Sequence, residues 1–78
     1  MVHVKTLEEL EKALRKLGIT PKTHYVIMDY KALYIVSMSD KDCRMITIEP
    51  QNKHEKTIIP RFLLKKGFKI ILDIYPAS

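Results

Sequence analysis

Apolar residues near the start of the chain recur at the spacing of an α-helix. Four leucines lie three or four positions apart and so share one helix face: Leu7, Leu10, Leu14 and Leu17. The segment from Thr6 to Glu9 has the form of a capping box, in which the two end residues satisfy each other's backbone N–H groups. Gly18 is suited to the left-handed residue that ends many helices. The pattern predicts a helix from about Leu7 to Leu17.

The middle of the chain alternates β-forming residues with polar turns. Three runs are rich in β-branched and aromatic residues: His24 to Tyr30, Leu33 to Met38 and Cys43 to Glu49. The segments from Asp29 to Ala32 and from Ser39 to Asp42 are typical of tight turns, so the three runs predict a β-meander. Both faces of the first two runs are largely apolar. They are therefore expected in the middle of a sheet, or with one apolar face free for a partner.

The last third of the chain predicts one more helix and one more strand. A polar loop from Pro50 to Lys56 precedes a helix from Thr57 to Lys66, which Gly67 ends. The face of this helix is marked by Ile58, Ile59, Phe62 and Leu63. From Phe68 to Tyr75 apolar residues alternate as in a strand, and we expect Ile70 and Leu72 in the core.

These elements define an α+β fold. Val2 and Val4 allow a short first strand, which gives the order β-α-β-β-β-α-β. Right-handed crossovers place both helices on one face of the sheet. We therefore expect a single domain over residues 1–78, a two-layer sandwich of four to five mostly antiparallel strands with two helices on one face.

Composition and the first residues bear on the cellular location of the chain. A domain of 78 residues buries a modest core, and the lone Cys43 forms no internal disulfide. The first residues lack the features of a secretory signal, and no apolar run has the roughly 18 residues of a membrane span. We expect a cytoplasmic protein that makes no membrane contact.

Charge is concentrated late in the chain. The net charge is +5, and residues 51–78 hold six Lys or Arg against two acidic residues. Such a bias suits a polyanion, although many small soluble proteins are basic for solubility alone. The predicted nucleic-acid-binding residues are Lys53, Lys56, Arg61, Lys65, Lys66 and Lys69.

Candidate chemistry is sparse. The histidines and the cysteine share no metal-ligand spacing, and both glycines are assigned to helix ends, so we expect no metal and no cofactor. His54 lies among lysines and could transfer a proton on a phosphodiester, but such a residue is more often simply exposed. Four tyrosines could stack on bases, although packing in the core or at an edge is the commoner role: Tyr25, Tyr30, Tyr34 and Tyr75.

Two resemblances bear on RNA. The order helix, three-stranded meander, helix resembles the double-stranded-RNA-binding fold. Parts of the chain also resemble HicA-type ribonuclease toxins. The resemblance covers the segment from Ile46 to Pro50 with His54 after it, the segment from Ile58 to Gly67, and the segment from Glu11 to Ile19. That resemblance implies action on RNA. The Gly-Ser/Thr-His segment that carries the toxins' catalytic histidine is missing, because Lys22-Thr23-His24 has no glycine.

Together the sequence favours a non-enzymatic binding module for nucleic acid or a nucleoprotein, acting through the basic final third. The alternative is a protein-interaction module, an inhibitor or accessory subunit, that uses an apolar sheet face or edge. A HicA-like ribonuclease is the third hypothesis. Apolar residues on both faces of the meander also lead us to expect a homodimer.

Overall fold

A computed structural model describes residues 2–74 of the chain. Its elements follow the predicted order: β1 (Val2–Val4), α1 (Leu7–Leu17), β2 (His24–Met28), β3 (Leu33–Ser37), β4 (Arg44–Ile48), α2 (Lys53–Lys66) and β5 (Ile70–Leu72). The predicted α+β fold is confirmed, with a five-stranded sheet and two helices.

Helix α1 begins and ends where its sequence signals lie. The Thr6 hydroxyl accepts the Glu9 N–H at 3.2 Å, and the Glu9 carboxylate accepts the Thr6 N–H at 3.2 Å and the Lys5 N–H at 3.0 Å. Gly18 has a φ of 65° and closes the helix in the left-handed conformation that glycine adopts without strain. The capping box and both bounds of this helix are confirmed.

The sheet is mixed, in the order β1-β4-β3-β2-β5. Strands β2, β3 and β4 form the antiparallel meander, while β1 pairs parallel with β4 and β5 parallel with β2. Four strands therefore run in one direction and only β3 runs against them. Each helix connects two strands of the same direction, so each runs back against those strands and the two helices point the same way.

The core lies between the sheet and the helices. Fully buried side chains from the sheet meet fully buried side chains from the helices: Val26, Ile35, Ile46 and Ile48 against Leu10, Ile59 and Leu63. The register places Ile46 beside Ile35 and Ile35 beside Val26, so these residues share the helix-facing side of the sheet.

Two predicted elements differ from the structure by more than two residues at one end. Helix α2 begins at Lys53 rather than at Thr57, because the Asn52 side chain accepts the Glu55 N–H at 2.9 Å and caps an extra first turn. Strand β5 ends at Leu72, which is 61% exposed, so the prediction that Leu72 lies in the core is wrong. The end of the predicted strand, at Tyr75, lies outside the described residues.

In the described part of the chain, neither helix has the length and apolar character needed to cross a membrane.

Candidate nucleic-acid interface

The common direction of the two helices brings their carboxyl ends to one end of the molecule. Gly67 ends α2 and packs beside the segment that follows α1, since a Cβ atom at Gly67 would lie 3.7 Å from the Pro21 side chain. Strand β5 starts at the same end, where the Lys69 carbonyl accepts the Val26 N–H at 2.8 Å. Residues from the first and the last third of the chain are therefore neighbours here.

The last turns of the two helices, the segment after α1 and the residue before β5 carry six basic residues at this end. We call these six the basic pole: Arg15, Lys16, Lys22, Lys65, Lys66 and Lys69. All six are exposed, and none is in an ion pair within residues 2–74. Four of them lie in the last turns of the two helices, where a cation also interacts favourably with the helix dipole: Arg15, Lys16, Lys65 and Lys66. The helix dipoles therefore offset part of the electrostatic repulsion among these cations.

The predicted site residues divide between two ends of the molecule. Lys65, Lys66 and Lys69 belong to the basic pole, whereas Lys53 and Lys56 lie in the first turn of α2 and Arg61 lies in between. A helix rises about 1.5 Å per residue, so Lys53 and Lys66 are separated by about 20 Å along the axis.

Sequence reasoning missed the half of the pole that precedes residue 51, namely Arg15, Lys16 and Lys22. The available signal was the basic last turn of α1, which carries Arg15 and Lys16. Taken locally, basic residues in a last turn are accounted for by the helix dipole and indicate no binding surface. Only the fold shows that it faces the same end as the last turn of α2.

A groove runs between the carboxyl-terminal halves of the helices. Its volume is about 410 Å³, with an apolar floor that includes Ile19 and Phe68. Arg15, Lys66 and Glu11 also line it. The Lys66 ammonium lies 5.6 Å from the centroid of the Phe62 ring, within the range of a cation–π contact. An anionic ligand at the pole would find apolar surface next to its charge partners.

Carboxylates at the opposite end of the molecule are engaged in backbone contacts. Glu55 on α2 accepts the Leu7 N–H at 2.8 Å and so ties the start of α1 to α2. Asp29, just after β2, accepts the Lys31 and Ala32 N–H groups at 2.8 Å each. The Ala32 N–H is the main reason that the pKa of Asp29 lies below its ordinary value. These acids stabilise turns and helix starts at that end. Other acids lie nearer the basic pole, since Glu11 lines the groove with Arg15 and Lys66, and Asp40 and Asp42 lie in the turn after β3, whose end pairs with the start of β2.

The sheet face away from the helices is largely covered by its own side chains. Val36 is fully buried there, and the Arg44 guanidinium lies 4.2 Å from the centroid of the Tyr34 ring. Burial raises the pKa of the half-buried Tyr34. Tyr25 is likewise half-buried in β2.

The other two tyrosines lie elsewhere. Tyr30 lies in the β2–β3 loop, not in a strand, and is 69% exposed. Tyr75 is outside the described residues.

The histidines occupy separate places. His54 is exposed in the first turn of α2, and no carboxylate within residues 2–74 forms an ion pair with it. His24 has its Nδ1 atom 2.6 Å from the Thr23 hydroxyl, and burial lowers its pKa. His3 lies 3.9 Å from the Glu49 carboxylate. Over the described residues, no three His, Cys, Asp or Glu side chains come together as a metal-ligand group.

Comparisons with protein-family models, with curated proteins and with solved structures find no match to this chain.

Proposed function

We propose that this protein is a small non-enzymatic module that binds nucleic acid through its basic pole. The observation that carries the proposal is the convergence of six exposed, unpaired cations at one end of the described molecule. Cations that are not neutralised by the protein's own carboxylates remain available to phosphates. The proposal assigns no catalytic role to His54.

Binding of this kind has a characteristic salt dependence. Each phosphate that a Lys or Arg neutralises releases condensed counterions, so the logarithm of the binding constant falls linearly with the logarithm of salt concentration. The slope counts the phosphate contacts. The neighbouring groove offers apolar surface for a base or sugar next to those contacts, which would supply a contribution that salt does not weaken.

The test uses a short labelled single-stranded RNA and a duplex DNA, titrated with the protein over a series of salt concentrations. We expect binding to both at low salt with a steep slope. A triple variant, Arg15→Gln, Lys65→Gln and Lys66→Gln, removes half of the basic pole. If each lost cation is one phosphate contact, the slope decreases by about two to three.

A matched control removes the same charge at the opposite end. Lys31→Gln, Lys53→Gln and Lys56→Gln together also lower the net charge by three, and these residues follow β2 or lie in the first turn of α2. We expect this variant to keep most of the parent's slope. Equal losses in the two variants would mean that net charge, and not the basic pole, controls binding. A parent that binds neither nucleic acid at low salt would end the proposal.

A second candidate function is a protein-interaction module. The sheet face favoured for this role by the sequence is largely self-covered, but the β5 edge exposes Ile71, Leu72 and Ile74. If the parent fails to bind nucleic acid, this edge becomes the surface to examine.

A further inference from the structure

Strand β5 is an edge strand with one free side. It pairs with β2 through Ile70, Ile71 and Leu72, and no other strand within residues 2–74 lies beyond it. Three apolar side chains are exposed at this edge, with Ile71 at 43%, Leu72 at 61% and Ile74 at 39%. A strand of this kind is a template for pairing with another chain.

The backbone groups available for pairing can be identified from the hydrogen bonds to β2. The Lys69 carbonyl accepts the Val26 N–H and the Asp73 N–H donates to the Met28 carbonyl, each at 2.8 Å. Backbone groups of successive residues in a strand point to alternate sides. The N–H and C=O groups of Ile70 and Leu72 therefore point away from β2, toward the free edge.

Two opposite charges flank Ile71 at equal distances along the chain. Lys69 precedes the strand by one residue and Asp73 follows it by one residue. In an antiparallel pair centred on Ile71, Lys69 lies opposite Asp73 of the second copy, and the reverse pair forms on the other side. Residues directly opposite each other share a sheet face, so both pairs are within reach.

We propose that two copies of the chain form a homodimer by antiparallel pairing of their β5 strands about a twofold axis at Ile71. Ile70 and Leu72 of opposite copies then exchange both backbone hydrogen bonds, which gives four bonds across the axis. The two Ile71 side chains meet as the central non-hydrogen-bonded pair. The same arrangement is isologous, as a twofold interface must be.

The charge pattern selects this register and this partner. A parallel pair of β5 strands in register would bring Lys69 beside Lys69 and Asp73 beside Asp73, which is repulsive. Strand β1, at the other edge, is followed by Lys5 and has no acidic residue within its span. In the proposed dimer the sheet continues through ten strands, and the helices of both copies lie on the same side. Lys69 then joins the interface, and five residues of each basic pole stay free.

Charge reversal provides the decisive test by sedimentation velocity. We expect the parent to sediment as a dimer at micromolar concentration. Lys69→Asp alone and Asp73→Lys alone each replace two attractive pairs by two repulsive ones, and each should weaken dimerisation by about tenfold or more. The doubly reversed chain restores both pairs and should dimerise like the parent.

Mixing the two singly reversed chains gives a second, independent readout. In a mixed dimer every 69–73 pair again joins an acid to a base, so the mixture should form heterodimers that neither chain forms alone. Lys65→Asp matches the charge change of Lys69→Asp but lies outside the edge, and should remain dimeric. A monomeric parent, or reversed chains that dimerise undiminished, would overturn the proposal.

A covalent trap tests the register. In a background with Cys43→Ser, Ile71→Cys places two thiols on opposite strands with Cα atoms about 4.5 Å apart, a separation that a disulfide can bridge. Oxidation should give a disulfide-linked dimer. Leu64→Cys, which is also exposed but lies on α2, should not be trapped. Equal trapping at both positions would contradict the proposed axis.

Discussion

Several carboxylates of this protein act as acceptors for backbone N–H groups. Glu9 accepts the N–H of Lys5 and of Thr6, Glu55 that of Leu7, and Asp29 those of its own turn. Backbone bonding, chiefly from Lys5, lowers the pKa of Glu9. The acids therefore stabilise the ends of elements, where helices and turns leave N–H groups without internal partners.

Replacing Thr6 should destabilise α1. Thr6→Ala removes the hydroxyl that accepts the Glu9 N–H, and loss of an N-cap acceptor costs about 1 kcal/mol. We expect a lower midpoint in both urea and thermal unfolding. Thr57→Ala is the control, because Thr57 is an exposed residue inside α2 whose hydroxyl donates to the Lys53 carbonyl of the same helix. Its replacement should not lower the midpoint, since alanine has the higher helix propensity. Equal midpoints for Thr6→Ala and the parent would mean that the cap contributes nothing.

Asp29 should make stability depend on acid pH. Because its pKa in the folded chain lies below the ordinary value of 3.8, its stabilising effect is complete above about pH 4 and is lost as pH falls through the folded pKa. Asp29→Asn keeps an oxygen for the turn but cannot titrate. The free energy of unfolding, measured at a series of pH values, should therefore fall less steeply in acid for this variant. Parallel curves for parent and variant would contradict the assignment.

Local signals at the residue scale could be predicted, and contacts between distant residues could not. The Thr6–Glu9 box and the two glycine helix ends follow from short spacings and are confirmed. The bond from Leu7 to Glu55 spans 48 positions. No local pattern marks it, because Glu55 falls in the segment predicted as a polar loop, where an acidic residue needs no partner.

At the element scale, apolar periodicity located the helices and strands but misplaced some of their limits. The first turn of α2 carries the exposed Lys53, His54 and Lys56, so it has no apolar marker and was predicted as loop. In β5 the alternation of apolar residues predicted burial, yet Leu72 is exposed. Alternation indicates which side a residue lies on. Whether a helix covers that side depends on tertiary packing.

Two adjacent leucines in α2 separate core from surface. Leu63 is fully buried, whereas Leu64 is 58% exposed. Leu63→Ala should lower the free energy of unfolding by about 2–5 kcal/mol, because it leaves a cavity in the core. Leu64→Ala makes the same chemical change on the surface, and should alter stability by at most about 0.5 kcal/mol. Chemical denaturation of both variants measures the difference. Similar losses of stability in the two variants would mean that the core face of α2 is assigned incorrectly.

At the scale of the whole molecule, the direction of the chain determines the distribution of charge. The excess of basic residues after position 50 was visible in the sequence, but its division between two ends was not. Two parallel crossovers are needed to bring the last turns of α1 and α2 together, and the basic pole is their product. Net charge per segment carries no information about that arrangement.

The basic pole should make the folded protein sensitive to anions. Like charges repel at close range, and salt screens them over about 10 Å at 0.1 M. We expect the thermal midpoint to rise with sodium chloride, and further with phosphate, which can bind between cations. Lys65→Gln with Lys66→Gln should reduce this rise, while Lys53→Gln with Lys56→Gln should not. If the thermal midpoint of the parent does not change with phosphate, repulsion among the cations of the basic pole does not limit its stability.

The outward-pointing backbone of β5 also determines how fast its amide protons exchange with solvent. In a single copy the amides of Ile70 and Leu72 have no internal acceptor within the described residues, whereas the Asp73 amide donates to Met28. Exchange in deuterated water, followed by NMR, should therefore be fast at Ile70 and Leu72 in dilute solution and slow in the central strand β3. If two copies pair through this edge, protection at these two amides rises with protein concentration while β3 is unchanged. Their exchange rates thus measure the association of the chain at single-residue resolution.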